Sequence, residues 1–156
     1  MTAILFIDGV IGLVCCVIAV TDHRRGIIPD WCNALILAGG MALSMLTGHG
    51  QLMAHLIDSA IVLALFLLLR FAYRRFRGYA GLGLGDVKFL TAATLCVGLV
   101  GLQLLVLIAC LTGLTEALVR RLVLNENLKA TTRLRFGPHL ALALILVLAL
   151  QQSNYW

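Results

Sequence analysis

The run LMAHLIDSAIVLALFLLLRF, residues 52–71, has the length and apolar character of a membrane-spanning helix. Such a helix needs about 20 mostly apolar residues. Five further apolar runs lie at residues 3–20, 31–46, 87–100, 102–119 and 138–150. The sequence therefore predicts an all-α, polytopic membrane protein with about six transmembrane helices. Residues 1–156 are expected to form a single integral-membrane domain.

The composition of the chain agrees with a bilayer as its solvent. Of its 156 residues, 62% are hydrophobic and 12% are charged, and the mean hydropathy is +1.03. A soluble domain carries about 25% charged residues, and a fold of this size could not bury so much apolar surface. The composition argues against a soluble enzyme, a nucleic-acid-binding domain and a disordered protein.

The positive charges of the chain give its predicted topology. All twelve Lys and Arg residues lie in or beside alternate connections between the predicted helices, and the net charge is +5. Cytoplasmic loops collect Lys and Arg, so these connections are expected to face the cytoplasm and both termini to be extracytoplasmic. The five cysteines form no C-x-x-C pair. They are interpreted as packing residues, and no metal site or cofactor is expected.

Two aspartates stand in distinctive settings. Asp22 directly follows the first predicted helix, and Asp86 lies in GLGLGDVK, residues 81–88. The predicted topology puts both at the same face of the membrane. Two carboxylates at close range share a proton, so one can accept a proton from water while the other polarises a carbonyl. This aspartic-protease chemistry needs no metal. The alternative is that Asp22 ends a helix and the glycines form a turn.

The residues around Asp86 have candidate roles in binding a substrate. Gly81, Gly83 and Gly85 lack side chains, so the backbone there can approach an extended substrate and adopt conformations that other residues avoid. The cation of Lys88 either favours an ionised carboxylate nearby or anchors the helix at the membrane edge.

Three motifs together resemble the type IV prepilin peptidase family of intramembrane aspartic proteases. They are the G-x-G-D motif at residues 83–86, Asp22 followed by Ile28-Pro29, and Phe136-Gly137-Pro138 before the last helix. The resemblance covers residues 20–145 approximately and identifies Asp22 and Asp86 as the catalytic pair. It implies a multi-pass peptidase of the bacterial inner membrane that needs no cofactor.

The resemblance also implies a substrate and a partner. The expected reaction removes the basic leader from type IV prepilins or type II secretion pseudopilins, after a leader glycine at the cytoplasmic membrane face. Many relatives also methylate the new N-terminus, using a cytoplasmic insert with paired cysteine motifs. This sequence has neither the insert nor a C-x-x-C pair, so it resembles the short form and methylation is not expected. Membrane lipid is the other expected partner.

Other acidic residues keep two alternatives open. Asp8, Asp58 and Glu116 lie inside predicted helices. They are expected to pair with polar neighbours such as Thr112, Thr115 or Gln103, to line a wet cleft, or to form the pathway of a small transporter. A catalytically inactive filament-assembly relative is the other alternative. Asp30 and Asn33 are expected to shape the start of the second helix.

Overall fold

The computed structural model describes residues 2–78, 81–122 and 135–153, and these residues are almost entirely helical. Its helices are α1 (Thr2–Arg25), α2 (Asp30–Thr47), α3 (His49–Arg77), α4 (Leu84–Leu122) and α5 (Gly137–Ser153). By length and composition α1, α3 and α4 could each cross a membrane, and α2 and α5 are shorter apolar helices. The all-α membrane fold is confirmed. The number of crossings and the location of the termini stay predictions.

The helix α4 is broken at Gly98, and its two arms run in opposite directions. Gly98 has φ 69° and ψ 180°, a left-handed conformation that favours glycine. Residues on both sides of the break pack against the end of α5, where Gln151 contacts Val97 and Gly101. Further along the second arm, Gly113 packs against the start of α5. The sequence placed this junction at Gly101, but the left-handed residue lies three positions earlier.

Side chains from other helices satisfy the carbonyl groups that the break leaves free. Gln151 Nε2 donates to the carbonyl of Val97 at 2.9 Å, and Ser44 Oγ donates to that of Leu95 at 3.0 Å. The Nδ1 atom of the His55 imidazole lies 3.0 Å from Ser44 Oγ. Backbone polar groups at membrane depth need internal partners, so α2, α3 and α5 together make the break possible.

The helices form a bundle around the first arm of α4. The helix α4 packs against α2, α3 and α5, while α1 packs against α2 and α5. The ends of α1 and α3 and the starts of α2, α4 and α5 meet at one end of the bundle, which we call the basic end. All described Lys and Arg side chains lie there; Lys129 and Arg133 are outside the described residues. This arrangement agrees with the predicted alternation of the connections.

The interior and the outside of the bundle are both apolar. Cys15, Ile18, Phe89 and Leu105 are fully buried in the core. Large side chains on the outside remain exposed, including Phe6 at 73%, Leu13 at 70% and Val100 at 81%. Such a surface suits lipid better than water.

The helix α1 is longer than its apolar run. It continues to Arg25, so Asp22 lies in its last turns rather than after its end. Gly26 ends the helix with φ 67°, and its N–H group donates to the carbonyl of Asp22 at 2.8 Å. The basic residues of the last turn stabilise this end because cations interact favourably with a helix C-terminus.

Candidate functional site

Asp22 is an acidic residue on the buried face of α1. Ile11, Cys15, Ile18 and Asp22 follow one another at helical spacing, and each is buried. Asp22 is 6% exposed, and its Oδ2 atom accepts a hydrogen bond from the N–H group of Gly137 at 3.0 Å. The first residue of α5 therefore holds the carboxylate of Asp22.

Gly137 is a glycine because the carboxylate lies where a side chain would begin. A Cβ atom at this position would lie 2.7 Å from both Cγ and Oδ2 of Asp22. Gly137 also begins α5, and the free N–H groups at a helix N-terminus favour a carboxylate beside them. Pro138 suits this first turn because its missing N–H group is not needed there. The motif Phe136-Gly137-Pro138 thus contacts Asp22 directly.

Asp86 lies in the first turn of α4, close to Asp22. The backbone of Gly83 hydrogen-bonds to its carboxylate, as the third residue of a helix does in a capping box. Asp86 is half-buried, and Asp22 is near enough for the two carboxylates to interact electrostatically. The structure therefore brings together two acidic residues that are 64 positions apart in the sequence.

The three glycines before Asp86 permit close contacts with three different neighbours. A Cβ atom at Gly81 would lie 2.7 Å from the ring of Tyr73, and one at Gly83 would lie 2.8 Å from Oδ2 of Asp86. At Gly85 it would lie 3.3 Å from the side chain of Ile28. Neither Gly83 nor Gly85 has a positive φ. The expectation of conformations that other residues avoid is therefore wrong for Gly83 and Gly85, where the missing side chain gives room to a neighbouring side chain instead. The approach of a substrate to this backbone stays a prediction.

The helix α3 fixes the glycine-rich segment from the other side. Arg70 donates a hydrogen bond from its guanidinium to the carbonyl of Leu82, and Tyr73 packs against Gly81. Sequence reasoning assigned Arg70 only to topology. Its position inside the end of an apolar helix was the available signal, because a charge there needs a partner.

Lys88 forms an ion pair with Asp30 of α2. Its Nζ atom lies 2.7 Å from Oδ1 of Asp30, and the two side chains are 42% and 75% exposed. The sequence left open whether its cation favours an ionised carboxylate nearby or anchors the helix at the membrane edge. The described contact is a surface link between the first residue of α2 and the second turn of α4, and the two expected roles of Lys88 stay predictions.

Two of the other acidic residues inside the helices, Glu116 and Asp8, pair with polar residues other than those named from the sequence. Glu116 lies 2.7 Å from Nε2 of His139 and also pairs with Arg120. Asp8 accepts a hydrogen bond from Gln152 at the opposite end of the bundle. The hydroxyl groups of Thr112 and Thr115 bond to carbonyls of their own helix, so pairing with Glu116 was wrong for them.

The pair of Glu116 and His139 fixes the start of α5. His139 lies two residues after Gly137, and both His139 and Phe136 pack against Gly113. The second arm of α4 thereby fixes the turn whose N–H group holds Asp22. Within the described part of the chain, no group of three or more His, Cys, Asp or Glu side chains could hold a metal ion. The site offers two neighbouring carboxylates at the basic end, which can perform acid–base chemistry on a water molecule.

Comparisons with known proteins give a consistent result. The model of the type IV leader peptidase family matches residues 9–118. A prepilin leader peptidase/N-methyltransferase from Dickeya chrysanthemi is 31% identical over 139 residues, which are 89% of this chain and 48% of that protein. One from Aeromonas salmonicida (strain A449) is 28% identical over 78% of this chain and 41% of its own length. Leader peptidase HopD from Escherichia coli is 32% identical over 78% of each chain.

The chain thus spans about half the length of the two prepilin leader peptidase/N-methyltransferases. No solved structure matches it.

Proposed function

Since the chain belongs to the type IV leader peptidase family, we propose that it is an intramembrane aspartic endopeptidase that removes the basic leader from type IV prepilins or pseudopilins. Cleavage follows a leader glycine at the cytoplasmic face of the bacterial inner membrane. The basic end of the bundle faces the cytoplasm, as the positive-inside rule predicts. Residues 1–156 act as one peptidase domain, with prepilin and membrane lipid as partners.

The observation that carries this proposal is that Asp22 and Asp86 lie near each other at the basic end. Each carboxylate is bound by a glycine N–H group, Gly137 for Asp22 and Gly83 for Asp86. The two come from helices far apart in the sequence and interact electrostatically. A pair that only ended helices would not need to meet.

The proposed reaction uses a water molecule held between the two carboxylates. The ionised carboxylate takes a proton from this water, and the protonated one donates a hydrogen bond to the carbonyl oxygen of the scissile peptide. The oxygen of the water bonds to the carbonyl carbon and gives a tetrahedral intermediate. As the C–N bond breaks, a carboxyl proton passes to the departing amine. Hydrolysis is balanced without a cofactor, and methyl transfer is not part of this chemistry.

Co-expression with candidate prepilins tests the proposal. Leader removal is followed by gel shift, and the new N-terminus is identified by sequencing and mass spectrometry. The wild type is compared with Asp22→Asn, Asp86→Asn and the control Asp58→Asn, at matched membrane levels. Asp58 is an acidic residue of α3, outside the proposed pair. General acid–base groups contribute about 10²–10⁴-fold, so both site variants should lose at least about 100-fold in rate.

Cleavage after the leader glycine that survives in the Asp58 variant and is lost in both site variants supports the proposal. Full cleavage in a stably inserted Asp22→Asn or Asp86→Asn protein contradicts the assignment of the pair. Ion flux that depends on Asp58 and not on Asp86 would instead favour the transporter alternative.

A further inference from the structure

Asn33 is a buried side chain whose polar atoms have no partner within the described part of the chain. It is 6% exposed, and neither Nδ2 nor Oδ1 forms a hydrogen bond there. The other buried polar side chains shown with hydrogen bonds include Ser59 and Thr94, which both donate to main-chain carbonyls. A buried amide without partners opposes folding, so its presence calls for another explanation.

The face of α2 that carries Asn33 lies against the first arm of α4. Gly40 and Ser44 follow Asn33 by seven and eleven residues, which puts them on the same face of the helix. Both contact Leu95 of α4. One turn before Asn33, Asp30 pairs with Lys88. Asn33 therefore lies between these two contacts, in the interface of α2 and α4.

This position is close to Asp86 along the bundle axis. The helix α2 and the first arm of α4 run in the same direction, and Asp30 is level with Lys88. Asn33 is then level with a residue about five positions after Asp86, which is about 7.5 Å at 1.5 Å per residue. An extended peptide advances about 3.3 Å per residue, so this distance corresponds to about two substrate residues.

We infer that Asn33 binds the main chain of the substrate about two residues from the cleaved bond, on the side that enters the bundle. The inference rests on the proposed function. A carboxamide donates through its nitrogen and accepts through its oxygen, which matches the C=O and N–H groups of one peptide unit. Because the contact is to the main chain, it fixes the register of the substrate without selecting its side chains.

The substrate reaches Asn33 by separating the first turn of α2 from α4. Their contacts at the basic end include the exposed pair of Asp30 and Lys88 and the packing of Ile28 against Gly85. Exposed ion pairs contribute little to stability. Residues 27–29 before α2 are not helical, so this movement would not require a helix to bend there.

Asn33→Leu tests the inference because it keeps the size of the side chain and removes both polar atoms. The thermal midpoint in detergent should stay equal or rise, while kcat/KM for prepilin cleavage falls about tenfold. The matched control is Thr94→Val, a fully buried side chain whose hydroxyl is already bonded. This control should lose stability and keep kcat/KM. Asn33→Thr, which retains one donor and one acceptor, should recover part of the activity.

A second substrate isolates the main-chain contact. Replacing the second peptide N–H on the membrane side of the cleaved bond by an ester oxygen should lower kcat/KM for the wild type and the Thr94→Val variant, and leave Asn33→Leu unaffected. Equal cleavage by wild type and Asn33→Leu overturns the inference alone, and so does a loss of stability in Asn33→Leu. If the wild type cleaves no prepilin, the proposed function fails and this inference fails with it.

Discussion

Gly137→Ala places a methyl group directly against the carboxylate of Asp22. The new Cβ atom would lie 2.7 Å from Cγ and Oδ2 and 2.8 Å from Cβ of Asp22. Carbon atoms in contact are normally about 3.5–4.0 Å apart, so one of the two segments must move by about 1 Å. The hydrogen bond from Gly137, now 3.0 Å, would then stretch to about 4 Å and be lost.

Two magnitudes follow from this displacement. Overpacking a filled site costs about 1–3 kcal/mol in the free energy of unfolding. Misplacing a catalytic group by about 1 Å costs about 100-fold in rate. We therefore expect Gly137→Ala to lose about 100-fold in prepilin cleavage and about 1–3 kcal/mol in the free energy of unfolding. The assay measures the cleavage rate and the thermal midpoint of the same purified protein in detergent.

Gly12→Ala is the matched control for this experiment. Gly12 lies in the middle of α1, and a Cβ atom there would meet nothing within 4 Å. Alanine is the better helix former by about 1 kcal/mol, so the control should be as stable as the wild type or more stable, with unchanged cleavage. A Gly137→Ala protein that cleaves at the wild-type rate would refute the reasoning that Gly137 positions Asp22.

Four further substitutions test other contacts of the site. Gly83→Ala would put a Cβ atom 2.8 Å from Oδ2 of Asp86, so we expect about 100-fold slower cleavage; Gly85→Ala meets only a side chain at 3.3 Å and should lose less than about tenfold. Removing the imidazole in His139→Leu breaks its 2.7 Å contact with Glu116 and should lower the free energy of unfolding by about 1–2 kcal/mol, measured by thermal unfolding. The rate of prepilin cleavage should fall as well. Lys88→Gln removes an exposed ion pair and should change the free energy of unfolding by less than about 1 kcal/mol; a larger loss would show that this link is stronger than its exposure indicates.

The helices and the common end of the two aspartates could be predicted from local features of the sequence. An apolar run of about 20 residues and an alternation of basic connections need no knowledge of packing. The position of the break in α4 was harder to predict from the sequence, because Gly98 and Gly101 are both glycines beside an apolar run. What distinguishes Gly98 is the support of Ser44 and Gln151 for the neighbouring carbonyls, which exists only in the assembled bundle.

The contacts that position the carboxylates could not be predicted for a related reason. The hydrogen bond of Gly137 to Asp22 joins residues 115 positions apart, and its donor is a main-chain group. Main-chain donors leave no residue type in the sequence that would indicate them. The contact of Glu116 with His139 was missed in the same way, because His139 lies on a different helix and the spacing of residues along α4 shows only neighbours within one helix, such as Arg120 at four residues from Glu116.

The two carboxylates are held by the same kind of hydrogen bond, although they belong to different motifs. Each accepts a hydrogen bond from a glycine at the start of a helix, and in each case a Cβ atom on that glycine would lie within 2.8 Å of the carboxylate. A main-chain donor cannot change rotamer, so its direction is fixed once the helix forms. Glycine is required at both positions because a Cβ atom would prevent the N–H group from approaching the carboxylate so closely. Hence glycine is needed at residues 83 and 137 to hold the two carboxylates, whether or not a substrate is bound.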